Sequence, residues 1–185
     1  MIISIRGANG AGKSTLVRWI MEDFTKNGGT ITTMKYPPEK KKIKPCGYIC
    51  RTADQTKALF VVGHYEIANG GLDTIPSLAY AYELALNHHT MGFDVIMEGK
   101  NFTETPTWIT DLHMQKLDVR VAMIDIPVKE CVESVRARGH KIKEETIKSL
   151  HAKSLRQFEI FKHAGVRIFK GDREQCLEEV RKWLK

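Results

Sequence analysis

Gly7-Ala8-Asn9-Gly10-Ala11-Gly12-Lys13-Ser14 reads G-x-x-x-x-G-K-S and follows directly on the apolar run Ile2-Ile3-Ser4-Ile5. A buried strand, a glycine loop and then a helix is the context in which that spacing holds a polyphosphate. Glycines let successive backbone N–H groups turn inward around the anion, where side chains would block its approach. In such a loop the lysine, here Lys13, reaches the β/γ-phosphates, and the hydroxyl of Ser14 ligates Mg²⁺. The helix starting near Lys13 points its positive end at the same charge. Leu16, Val17, Ile20, Met21 and Phe24 fall on one face of that helix. Asn9, Gly10, Ala11, Gly12, Lys13, Ser14 and Thr15 are the candidate nucleotide-binding positions, with ATP and Mg²⁺ as the implied cofactors.

Outward from this loop the chain alternates strand and helix. Strands are expected near 2–6, 30–36, 93–98, 119–125 and 166–170, and helices near 13–27, 74–91, 105–116, 127–138, 144–163 and 173–184. Thr105-Pro106 and Ile126-Pro127 put proline at a first helical position, and Asp172 with Gln175 has the form of a capping box. Such alternation predicts an α/β fold, a parallel sheet with helices on both faces. The irregular part is 37–73, where Pro37-Pro38, a lysine run and Gly70-Gly71 flank a further strand at Ala58-Leu59-Phe60-Val61-Val62. An insertion of that length beside the phosphate loop is where substrate recognition is expected.

The 185 residues suffice for one domain with a full core. No apolar stretch approaches the ~20 residues of a membrane span, and with strand one expected from residue 2 no leader is expected. Cys46, Cys50, Cys131 and Cys176 lack the second pair that would complete a zinc site. Reduced thiols and a cytoplasmic location are expected. The net charge of +7 suits an anionic partner. Lys35, Lys40, Lys41, Lys42, Lys44, Arg51 and Lys57 crowd one segment, either a solvated face or a nucleic-acid contact.

Phe93-Asp94-Val95-Ile96-Met97-Glu98-Gly99 is an apolar strand that delivers a carboxylate at its carboxyl end, where ligands of open α/β sheets collect. Glu98 there can hold Mg²⁺ through water or orient an attacking hydroxyl, or it can make a structural hydrogen bond. Asp125 competes for the role but runs into Pro127 and a helix, so it reads as a structural strand end. Arg136-Ala137-Arg138-Gly139-His140-Lys141 closes one helix before another. Its arginines suit a lid over a transferring phosphoryl group, at about 136–146; a cation-favouring helix terminus capped by Gly139 explains the same residues.

Loop, acid, lid arginines and Gly171-Asp172-Arg173 after the last strand together resemble the nucleoside-monophosphate-kinase group of P-loop proteins. The resemblance implies five parallel strands in order 2-3-1-4-5 and catalytic roles for Lys13, Glu98, Arg136 and Arg138. It also implies that Asp172 and Arg173 border the adenine. A GTPase is excluded by the absence of an N-K-x-D motif. The stretch Val62-Gly63-His64-Tyr65 through Gly70-Gly71-Leu72-Asp73-Thr74-Ile75 resembles small P-loop kinases of tailed bacteriophages, some of which phosphorylate 5-hydroxymethyluracil within phage DNA. That resemblance implies a DNA acceptor and, for a phage protein, the host cytoplasm.

A base inside a duplex must be flipped out, which needs backbone contacts and an aromatic pocket. The lysine-rich segment can supply the first, and Tyr65, Tyr36 or Tyr48 the second. Asp73 is the candidate general base for the acceptor hydroxyl, with an N-cap for a helix at Thr74 as its alternative role. Tyr36, His64, Tyr65, Gly70, Gly71, Asp73 and Lys100 are thus the expected acceptor-side residues. A kinase of a free deoxynucleoside monophosphate and a nucleic-acid-binding ATPase are the competing functions.

Overall fold

Ile2–Gly7 is buried at every residue and forms β1. It carries strands on both edges and helices on both faces, so it reads as a nearly continuous apolar run rather than an alternation. The computed structural model describes residues 1–36, 44–66, 70–99 and 106–185. Among these residues the other strands are β2 (Thr30–Lys35), β3 (Pro45–Arg51), β4 (Ala58–Val62), β5 (Asp94–Glu98), β6 (Val119–Ile124) and β7 (Arg167–Gly171). The helices are α1 (Lys13–Lys26), α2 (Leu78–Thr90), α3 (Thr107–Met114), α4 (Val128–Ala137), α5 (Glu144–His163) and α6 (Arg173–Trp183).

These strands make one seven-stranded sheet in the order β2-β3-β4-β5-β1-β6-β7. The expectation of five parallel strands in order 2-3-1-4-5 is therefore corrected: the sheet is mixed. Its five parallel members run β4-β5-β1-β6-β7, while β3 is antiparallel to both β2 and β4. The strand expected second, near 30–36, lies at the outer edge instead. β3 escapes a sequence reading because Pro45 and Gly47 are poor strand formers. Gly47 is needed there: a Cβ would come within 2.7 Å of the Phe60 ring on β4. A turn closed by Asp54, which accepts from Thr52 Oγ1 at 2.6 Å and Thr56 N at 3.1 Å, joins β3 to β4.

Helices cover both faces. Leu16, Val17 and Ile20 of α1, Cys131 and Val135 of α4, and Cys176 and Val180 of α6 fill one core against Ile3 and Ile5. Ala81 and Ala85 of α2, Ile109 and Leu112 of α3, and Phe161 of α5 fill the other against Ile2 and Val95. Each large apolar side chain among them contributes about 1.5–3 kcal/mol on burial. Asp172 caps α6 with the expected box: its Oδ1 accepts from Gln175 N at 2.8 Å, and its own N–H donates to Gln175 Oε1 at 3.0 Å. All four cysteines are buried free thiols. No helix among the described residues is long and apolar enough to cross a membrane.

The strand register also divides the basic segment. Met34 pairs with Gly47 and Gly47 with Val62, so Lys35 and Lys44 stand at the carboxyl edge of the parallel strands. Arg51 and Lys57 stand at the opposite edge. There Arg51 lies 5.3 Å from the Phe93 ring centroid and Lys57 Nζ donates to the Lys185 carbonyl. The crowd of seven cations is corrected accordingly: two of them face away from the phosphate loop. Lys40, Lys41 and Lys42 lie outside the described residues.

Candidate active site

Where β1 ends at Gly7, the chain turns through Gly10 and Gly12, both with positive φ, into α1. Gly12 can carry no side-chain cap and α1 has no acid in its first turn, so its leading amides remain available to an anion. Lys13 is 8% exposed and its Nζ donates to Gly7 O at 3.0 Å and Ala8 O at 3.1 Å. Ser14 Oγ donates to Glu98 Oε1 at 2.8 Å, across from the end of β5. Burial pushes the Glu98 carboxyl above its usual range, against the pull of Lys13 and Ser14. Burial likewise pulls the Lys13 ammonium down, against Glu98 and Asp73. A lysine, a hydroxyl and a carboxylate thus share one buried corner.

That corner is the floor of a cleft of about 470 Å³. Asn9, Gly10, Gly12, Lys13, Ser14 and Thr15 contribute its loop side, while Arg18, Gly70 and Asp73 line it opposite. Arg138, His140 and Ile142 border it from beyond α4, and Arg173 closes it at the start of α6. The Arg173 guanidinium lies 5.9 Å from the Trp19 ring centroid and donates to Ala11 O at 3.4 Å. Among the described residues no three His, Cys, Asp or Glu side chains cluster as a metal site. The donor pair Ser14 and Glu98 nevertheless fits a hard cation that takes its remaining ligands from phosphate and water.

The wall around Gly70 and Asp73 rests on glycine contacts. His64 and Gly71 form an antiparallel bridge, with Gly71 N donating to His64 O at 2.9 Å. Thr74 Oγ1 locks it, donating to Gly71 O at 2.7 Å and accepting from His64 N at 3.1 Å. Gly71 has φ +83°, and a Cβ there would overlap Glu98 Oε1. Gly71→Ala is therefore expected to cost about 1–3 kcal/mol from backbone strain alone and to displace Glu98. A thermal melt should drop, and turnover should fall by about 10²-fold or more. Asp73 follows in a 3-10 turn (Leu72–Thr74). Its alternative role as a helix cap is not the one observed: α2 starts at Leu78, capped by Ser77 Oγ accepting from Tyr80 N at 3.2 Å.

The remaining expected residues separate. Arg138 reaches the cleft, whereas Arg136 is exposed and is not part of the lining. Arg173 lines the cleft, whereas the Asp172 side chain is engaged in its capping box. Tyr36 is 6% exposed and stacked on Tyr80 at 5.9 Å; Tyr65 is 4% exposed. Neither presents an open ring face to a base. His64 is buried, with Nε2 3.3 Å from Glu66 Oε2. Asp125 accepts from His151 Nε2 at 2.8 Å and lies 3.5 Å from Lys170, outside the cleft. Lys100 lies outside the described residues.

Four side chains carry no role that the sequence alone assigns. Arg18 sits one helical turn after Ser14, on the same face of α1, and its Nε donates to Tyr65 O at 2.9 Å. That i, i+4 spacing from a phosphate-loop serine is a usable signal. Trp19 joins through its contact with Arg173, while His140 and Ile142 fall within the lid expected at about 136–146, where the sequence gives neither a role of its own.

An ABC transporter family profile matches residues 1–66, the segment that holds the loop and α1. Two structures of deoxyadenosine kinase from M. mycoides, one with bound dATP and one with products bound, superpose over 100% of this chain. They cover 99% and 98% of that protein with TM-scores of 0.51 and 0.49, at 15% and 16% identity. The dATP-bound one supports a shared fold. The 5-hmdU DNA kinase of Pseudomonas phage PaMx11 is 35% identical over 137 residues, 74% of this chain and 68% of that protein. With a glycine loop, lysine, serine and strand-end acid around one cleft, the chain is a phosphotransferase and belongs to the family of that 5-hmdU DNA kinase.

Proposed function

We propose that this enzyme transfers the γ-phosphate of ATP to the hydroxymethyl group of 5-hydroxymethyluracil in DNA. The observation that carries the reading is the convergence of Lys13, the Ser14–Glu98 pair and Asp73 on one cleft, in a chain of this family. The acceptor oxygen bonds to the γ-phosphorus, the bridge to the β-phosphate breaks, and ADP leaves. Asp73 takes the hydroxyl proton. Lys13 and Arg138 meet the charge on the phosphoryl oxygens, and Arg173 borders the nucleotide. Ser14 and Glu98 are the residues that would hold Mg²⁺, which when bound neutralises phosphate charge. Residues 1–185 act as one domain with a recognition insertion near 37–73 and a lid near 136–146, in the host cytoplasm.

The test is γ-labelled ATP offered to DNA containing 5-hydroxymethyluracil, to the same DNA with thymine, and to the free mononucleotide. Label is expected in the modified DNA alone. Label in the mononucleotide would make this a nucleotide kinase; ADP release with no labelled acceptor would make it a nucleic-acid-binding ATPase. Replacing Lys40, Lys41, Lys42 and Lys44 by Ser tests the DNA contact separately. Each lost phosphate contact should lower the slope of log affinity against log salt by about one, with ATP affinity unchanged. An unmoved slope would mark the run as a solvated face.

A further inference from the structure

Tyr65 is fixed more firmly than its surroundings require. Its N–H donates to Tyr48 Oη at 3.2 Å and its carbonyl accepts from Arg18 Nε at 2.9 Å, so side chains from β3 and α1 hold both ends of one residue. The ring packs against Tyr48, with centroids 6.2 Å apart at 59°. Its hydroxyl is buried and makes no hydrogen bond of ordinary geometry. A phenylalanine would fill the same space without burying a polar group, so packing gives no reason for the oxygen. Gly70 and Gly71 bring Tyr65 beside Glu98: a Cβ on Gly70 would lie 3.2 Å from the Tyr65 Cα, and one on Gly71 would overlap Glu98 Oε1. Burial first, and then the Glu98 carboxylate, push the Tyr65 hydroxyl well above its usual pKa, so it stays a donor.

Glu98 needs such a neighbour. One of its oxygens, Oε1, receives the Ser14 hydroxyl proton at 2.8 Å, while the carboxylate has room for about four donors. The space beside that oxygen is open only because residue 71 is a glycine, and Glu98 is 2% exposed, so water has little access. We propose that Tyr65 is a positioning residue whose hydroxyl donates to the Glu98 carboxylate and fixes its orientation toward the metal-bearing nucleotide. This rests on the phosphoryl-transfer reading. It differs from the expectation that Tyr65 stacks on the acceptor base.

The experiment is Tyr65→Phe, which keeps the ring and removes the donor. ATP binding is measured by calorimetry in EDTA and again at saturating Mg²⁺. Loss of a partner that orients a metal-site ligand typically costs 10–100-fold in metal affinity. The gain in ATP affinity on adding Mg²⁺ should therefore shrink by about 10-fold or more, with affinity in EDTA unchanged. Tyr48→Phe, which releases the Tyr65 N–H and the Glu66 carboxylate but leaves the Tyr65 hydroxyl in place, should shift the same ratio by less. A Tyr65→Phe ratio equal to wild type would overturn the proposal, as would a rise in acceptor KM with the ratio intact. A wild-type protein indifferent to Mg²⁺ would instead remove the phosphoryl-transfer reading beneath it.

Discussion

Lys13→Ala is expected to abolish phosphoryl transfer, lowering kcat by about 10³-fold or more, in line with the loss of a group that meets transition-state charge. The position of Lys13 suits that role, because its Nζ, tied to the Gly7 and Ala8 carbonyls, stands at the floor of the cleft. A longer reach to a phosphate needs only those two neutral bonds to exchange. The fold should persist. Two hydrogen bonds are lost, but so is a cation that burial disfavours, and the two effects oppose. A melting temperature within about 4 °C of wild type corresponds to no more than about 1–2 kcal/mol. Full turnover in the variant would remove the central role assigned to the loop.

The loop was legible because its pattern is written in contiguous residues: Gly7, Gly12, Lys13 and Ser14 stand at the spacing that such a loop dictates. Glu98 was legible for a related reason, as the carboxylate at the end of an apolar strand. The outer sheet was not. Pro45 and Gly47 obscure β3, and the Phe60 ring and Val61 carbonyl lying against Gly47 explain why a glycine sits there. Arg6 was hidden in another way. It interrupts an apolar strand yet is fully buried, donating to Ser4 Oγ and to Gln157 Oε1, a residue 151 positions away on α5. Burial pulls its pKa to about 9. No local pattern announces a partner so distant in the chain, and Tyr65 owes its place to the same kind of contact from Tyr48 and Arg18.

Glu98→Gln keeps the size of the side chain and removes its charge, and turnover should fall by roughly 10²–10³-fold while ATP affinity in EDTA holds. The pH dependence gives a second reading. Burial is the largest influence on Glu98 and raises its pKa above 4.5 in the folded chain. A carboxyl whose folded pKa exceeds its unfolded value binds its proton more tightly when folded. Stability is then lost as pH rises from the unfolded pKa through the folded one. Glu98→Gln lacks that contribution, so its melting temperature should rise relative to wild type across that window. The profile of kcat/KM reports the free enzyme. Its acid limb should therefore lie above the ordinary carboxylate range in wild type, move down as Mg²⁺ is increased, and disappear from the residual activity of the variant. The acid limb and the loss of rate belong to one group, so they must vanish together. A variant with unchanged rate and Mg²⁺ dependence would pass the metal-site role to another acid. Asp125 is poorly placed to take it, because His151 and Lys170 already hold its two oxygens outside the cleft.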